Sequence, residues 1–106
     1  MNLRISEDGF RFRITPEDLD TLLRGREIDQ RVCLGAHCFT YRIAPVTFEK
    51  GMKLEMAVAG FCLSVPHAML EELRDLGRSK EGLSVMQGDV NIELQLDIKT
   101  QMRKAA

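Results

Sequence analysis

Residues 9–23 read GFRFRITPEDLDTLL and residues 60–74 read GFCLSVPHAMLEELR, and the fold turns on how these two stretches are read. In the first, Phe10, Phe12 and Ile14 alternate with Arg11 and Arg13, the period-2 pattern of a half-buried strand. Thr15 can then cap a helix, Pro16 suits its first position, and Asp18 falls three residues past the cap. Leu19, Leu22 and Leu23 supply the apolar stripe, and Gly25 a stop. In the second, Phe61, Leu63 and Val65 alternate with Cys62 and Ser64. Pro66 opens a helix striped by Met69, Leu70, Leu73 and Leu76, and Gly77 ends it.

Each stretch is flanked in the same way. Before the first, Leu3 and Ile5 alternate with polar residues, and Glu7-Asp8-Gly9 turns the chain. Before the second, Leu54, Met56 and Val58 form a strand and Ala59-Gly60 the turn. After the first helix, Ile28–Leu34 alternates, Gly35-Ala36-His37 turns, and Phe39, Tyr41 and Ile43 face inward until Pro45 ends the strand. After the second helix, Leu83 and Val85 lie on a short strand and Gln87-Gly88-Asp89 turns. Ile92, Leu94, Leu96 and Ile98 follow in clean alternation. The 77–82 segment GRSKEG reads as a surface loop and the terminal QMRKAA as fraying.

A shift of fifty-one residues lays Leu3, Ile5, Gly9, Phe10, Phe12, Ile14, Leu19 and Leu22 on Leu54, Met56, Gly60, Phe61, Leu63, Val65, Leu70 and Leu73 without a gap. A shift of fifty-three lays Val32, Gly35, Phe39, Tyr41 and Ile43 on Val85, Gly88, Ile92, Leu94 and Leu96. The matches fall on buried-type and turn positions, while outward residues differ. The expected fold is therefore α+β: an internally duplicated β-β-α-β-β unit, with pseudo-repeats 1–48 and 52–100 inside one domain, 1–106. About eight mostly antiparallel strands, barrel-like or two-layered, would carry two short helices. Either half alone would expose an apolar sheet face, so the halves must pack face to face or join edge to edge.

The opening LRISEDGFRFRITPEDLDTL, the later FTYRI and the MAVAGFCLSVP segment resemble a family of small bacterial proteins of unknown function. Its members begin with a strand, a turn, an R-x-R-hydrophobic-Thr segment and an acidic helix start, matched here by Arg11, Arg13, Ile14, Thr15 and Glu17. The resemblance implies a compact bacterial cytosolic protein and transfers no catalytic residue. Pro66 keeps the family's proline before the second helix. Leu73 and Leu76 stand where a late aromatic is usual.

Composition narrows function by exclusion. Hydrophobic residues make up 44% and charged residues 29%, as in an ordinary globular domain large enough to bury roughly 65% of its unfolded surface. A net charge of −1 argues against nucleic acid or an anionic membrane as partner. No window reaches the ~18 apolar residues of a membrane span, and the N-terminus lacks a signal-peptide h-region. The three cysteines are expected as reduced thiols in a cytoplasmic protein.

Strand parity places Arg4, Arg11 and Arg13 on one outward face, with Arg42, and then Arg31, able to extend it. Arginine forks suit carboxylates and phosphates. The matching outward positions of the second half are Glu55, Cys62, Ser64, Glu93 and Asp97, so a basic face on one half answers a more acidic one on the other. The leading expectation is a non-enzymatic binding module for a protein partner or a small anionic ligand, without cofactor. The complementary faces also admit a homodimer. Set against it is a solvated sheet face whose arginines pair with nearby acids.

The alternative class is a small Cys/His-dependent hydrolase or a metal-binding enzyme drawing on Cys33, His37, Cys62 and His67, with Cys38 adjacent. Cys-x3-His-Cys is not a zinc-finger spacing, and neighbouring strand residues point to opposite faces. His67 starts a helix, whose positive end disfavours its protonated form.

Overall fold

The structure is a computed structural model describing residues 1–47, 50–76 and 82–97. In chain order it has β1 (Asn2–Ser6), β2 (Gly9–Ile14), α1 (Pro16–Leu23), β3 (Ile28–Leu34), β4 (His37–Val46), β5 (Lys53–Ala57), β6 (Gly60–Pro66), α2 (His67–Leu76), β7 (Leu83–Gln87) and β8 (Val90–Leu96). The order is β-β-α-β-β twice over. The helix stop expected at Gly77, the last strand residue Ile98 and the terminal QMRKAA lie outside the described residues.

The strands form two open four-stranded sheets rather than a closed barrel, ordered β1-β2-β8-β7 and β3-β4-β6-β5. Each sheet joins a hairpin from the first half to a hairpin from the second, so the halves interleave instead of each making a sheet of its own. The four hairpins are antiparallel; the seams between them, β2 with β8 and β4 with β6, are parallel. Both seams have the same register. Gly9 lies opposite Asn91 and Gly60 opposite Thr40, and within each seam Asn91 donates to the Asp8 carbonyl (3.1 Å) and Thr40 to the Ala59 carbonyl (2.8 Å).

The two glycines are dictated by that seam. A Cβ on Gly9 would overlap the Asn91 carbonyl oxygen, and one on Gly60 the Thr40 carbonyl oxygen. They were expected as turn glycines. The turns are in fact Glu7–Asp8 and Val58–Ala59, and Gly9 and Gly60 open β2 and β6.

The alignment by fifty-three residues needs correcting. It matches turn glycines Gly35 and Gly88, but in the seams Ile43 takes the place of Leu94, fifty-one residues apart: Ile43 faces Leu63 as Leu94 faces Phe12. The β3–β4 hairpin therefore runs two residues further past its seam. Its inward-parity residues Val32, Leu34 and Phe39 emerge from the core, Leu34 being 81% exposed.

Pro45 does not end β4, which continues to Val46 along β6. In β4 the alternate residues Thr40, Arg42 and Ala44 turn their backbone groups toward β6, as the Thr40 bond shows, so the nitrogen of Pro45 faces the side β3 has already left.

The core fills the space between the sheets and helices. Phe12, Leu22, Ile43, Leu63, Val65, Leu70 and Leu94 are fully enclosed, and the described residues include no buried polar or charged side chain. Phe10 and Phe61, equivalent in the two halves, meet edge to face across the sheets at 5.1 Å, and Phe39 joins Phe61 at 5.4 Å. The α1 start is as expected: Thr15 Oγ1 accepts from the Asp18 N–H (3.0 Å) and Asp18 Oδ2 from the Thr15 N–H (3.1 Å). Such a cap is worth about 1 kcal/mol.

Candidate anion-binding site

On the outer face of the first sheet, Arg4 of β1 lies directly opposite Arg11 of β2, which lies opposite Glu93 of β8. These residues, with Ser6, Asp8, Gly9, Phe10 and Asn91, line an open cleft of about 360 Å³. Arg11 Nε donates to Glu93 Oε2 at 2.8 Å. Glu93 Oε1 accepts from Asn91 Nδ2 (3.2 Å), and Asn91 Oδ1 from the Ser84 hydroxyl (2.9 Å). Both Glu93 oxygens and both ends of the Asn91 amide are thus occupied. The chain of bonds fixes the Arg11 guanidinium by one edge. Among the described residues its two Nη groups have no partner, and Arg4 has neither ion pair nor hydrogen bond.

Like charges directly opposite across a strand pair repel. Two carboxylates, Glu93 and Asp8, line the cleft with the two guanidinium groups; Glu93 touches only Arg11, and Asp8 makes no ion pair with either arginine among the described residues. An anion entering beside Arg4 would give that guanidinium the ion pair it lacks among the described residues and meet the planar N–H forks of two arginines.

The structure brings Arg4 and Arg11 together. Arg13 stays on the same face, two residues further along β2, between Asn2 and Gln95 and outside the cleft lining. Arg42 is on the other sheet, facing Asp29 and Cys62, with Glu27 at 3.6 Å from Nη1. Arg31 is also on that sheet.

The cysteines depart from expectation. Cys33 and Cys38 are not free thiols but a disulfide across the β3–β4 hairpin, their Cα atoms 4.0 Å apart. The two-residue turn sets Leu34 opposite His37 and hence Cys33 opposite Cys38. Cys33 is therefore spent as a metal ligand, and among the described residues no three His, Cys, Asp or Glu side chains converge as a metal group would require. Cys62 is a half-buried free thiol. Burial raises its pKa; Arg42 pulls it down, and Glu27 and Glu55 push it up again. A raised pKa weakens a nucleophile at neutral pH. His67 opens α2 with Nε2 3.7 Å from Glu71, one helical turn on.

Sequence reasoning placed Glu93 on an opposing acidic face and did not single out Asn91, Ser84 or Asp8. The outward parity of Glu93 was readable. Its place beside Arg11 depends on the parallel β2–β8 seam, which joins residues more than eighty positions apart and leaves no local signal.

No curated protein matches the chain, and no solved structure does. Among the described residues no helix is long and apolar enough to cross a membrane. One family model spans residues 1–101, nearly the whole chain and every element described above, and on that match the chain belongs to a family of unknown function, DUF7009.

Proposed function

We propose that the protein is a non-enzymatic binding module that takes a small anionic ligand, a carboxylate or phosphate, in the cleft at Arg4 and Arg11. The observation that carries this reading is the Arg4–Arg11 pair itself: two guanidinium groups opposed across neighbouring strands, one held rigidly by Glu93 and the other without a counter-ion among the described residues. Pre-organising one arginine lowers the ordering cost of binding. The lining residues contain no nucleophile paired with a base, which supports binding over catalysis.

The scaffold reading belongs with this one: the two halves are copies of one β-β-α-β-β unit. The equivalent seam glycines, Gly9 and Gly60, and the Phe10–Phe61 pair support it. The copies have diverged where the ligand binds. The seam position of Arg11 and Glu93 is filled by Cys62 and Arg42 in the second sheet.

The test is an NMR titration of the labelled chain with citrate and, separately, inorganic phosphate. Backbone amides of Gly9, Arg11 and Asn91 should move together and saturate. Arg4→Ala should weaken binding roughly ten- to a hundredfold, the worth of a charge-assisted hydrogen bond of about 1.5–3 kcal/mol. A titration in which neither anion moves these amides, or in which Arg4→Ala responds like the parent chain, refutes the reading.

A further inference from the structure

The four sheet edges are not equally protected. Along β5, Gln87 reaches across from the other sheet: its Nε2 donates to the Leu54 carbonyl and its Oε1 accepts from the Leu54 N–H, both at 2.8 Å. That amide stands in for a neighbouring strand. Among the described residues edge strand β3 has no such cover. Asp29 through Leu34 are all exposed, and Asp29 and Arg31 make no ion pair among the described residues. An open edge of this length is a template for another strand.

Which of its backbone groups point outward follows from the turn. The Gly35–Ala36 turn makes Leu34 and His37 the hydrogen-bonded closing pair, so Cys33–Cys38 is a non-hydrogen-bonded pair. The short Cα separation of 4.0 Å there agrees, since non-hydrogen-bonded pairs sit closer. Counting back by twos, Asp29 and Arg31 present their N–H and C=O groups to the open edge, while Ile28, Gln30 and Val32 turn theirs to β4.

The residues from Ile28 to Val32 read Ile-Asp-Gln-Arg-Val, apolar at both ends and opposite in charge about a central amide. We infer that β3 is a self-complementary edge that pairs antiparallel with β3 of a second copy of this chain, about a two-fold axis at Gln30. In this register Asp29 faces the partner's Arg31, Arg31 faces the partner's Asp29, and the four residues exchange backbone hydrogen bonds. On the other face Ile28 meets the partner's Val32, twice. The pairing is isologous, as closed dimers require, and makes one eight-stranded sheet from two four-stranded ones. Registers that satisfy the backbone but centre on Asp29 or Arg31 set like charges face to face. The other uncapped edges lack this code. Centring β1 on Arg4 opposes it to its own copy, and β7 carries no charge. The pairing uses the second sheet and is independent of the Arg4–Arg11 cleft.

Sedimentation velocity of the full chain across the micromolar range tests the inference, with far-UV circular dichroism to confirm folding. The parent chain should sediment as a dimer. Asp29→Arg and Arg31→Asp, each turning two attractive cross-strand pairs into repulsive ones, should each weaken the dimer roughly tenfold or more. The double reversal D29R/R31D restores opposite charges in the same register and should restore the dimer. A monomeric parent chain overturns the inference. So do single reversals that dimerise like the parent, which would place the contact elsewhere, and a folded double reversal that stays monomeric.

Discussion

Replacing Gly60 with Ala tests the packing on which both sheets depend. The added Cβ would overlap the carbonyl oxygen of Thr40 on the neighbouring parallel strand, a backbone atom that cannot rotate away. Relief requires β4 and β6 to separate at the start of their seam, where the Thr40 N–H donates to the Ala59 carbonyl at 2.8 Å. A lost ladder bond costs about 1 kcal/mol. Backbone distortion adds about 1–3 kcal/mol. The expected total of about 3 kcal/mol is a large part of the 5–15 kcal/mol typical of a domain. It corresponds to a fall in Tm of roughly 10–20 °C. Gly9→Ala should cost about the same, because the Asn91 carbonyl occupies the equivalent place. Gly51→Ala, with no atom within 4 Å of the new methyl, is the control and should lie within about 1 kcal/mol of the parent. Urea denaturation followed by circular dichroism measures all three. The reasoning fails if Gly60→Ala unfolds at the same urea concentration as Gly51→Ala, or if Gly9→Ala and Gly60→Ala differ by most of the predicted cost.

Two further expectations concern the cysteines. Replacing both Cys33 and Cys38 with Ser opens a short loop and should lower stability by at most about 2 kcal/mol, read in the same urea assay; a larger loss would mean the bond organises more than its own hairpin. Burial raises the Cys62 pKa, so less of it is thiolate at any given pH than in an unfolded chain, and its alkylation should be slower at pH 8 and accelerate only above the usual thiol range. Stopped alkylation with mass detection, native against urea-unfolded, checks this, and equal rates would contradict it.

Strands and helices were legible because each one is amphipathic over its own length. The alternation of Phe10, Phe12 and Ile14, and the Thr15–Asp18 box, are local facts that tertiary contacts did not override. The seams were not legible, because parallel pairing of β2 with β8 is a choice among hairpins with similar apolar faces. The clue lay in Gly9 and Gly60, but a glycine beside a turn reads first as a turn residue. A one-residue error concealed the disulfide. Counting His37 in the turn puts Cys33 opposite Phe39, whereas the two-residue turn puts it opposite Cys38. For the site, outward parity was enough to place Arg4 and Arg11 on one face. The orientation of Arg11 by Glu93, Asn91 and Ser84 needed the distant end of the chain.

Interleaving also accounts for why the candidate anion cleft lies on one sheet and has no counterpart at the matching seam of the other. The same seam position carries Arg11 with Glu93 in the first sheet and Cys62 with Arg42 in the second. Arg42 lacks a carboxylate on the adjoining seam strand and turns instead to Glu27, just before β3. The strand neighbour that corresponds to Arg4 is Glu55, which neutralises the face rather than opposing a second cation to the first. Three differences at matching register positions, Arg11 against Cys62, Glu93 against Arg42 and Arg4 against Glu55, thus separate a cleft in which Arg4 has no ion pair among the described residues from a face on which Arg42 pairs with Glu27. Since β1–β2 and β7–β8 come from opposite halves, the cleft exists only once both halves have docked, and the proposed binding at Arg4 and Arg11 would report the assembled fold.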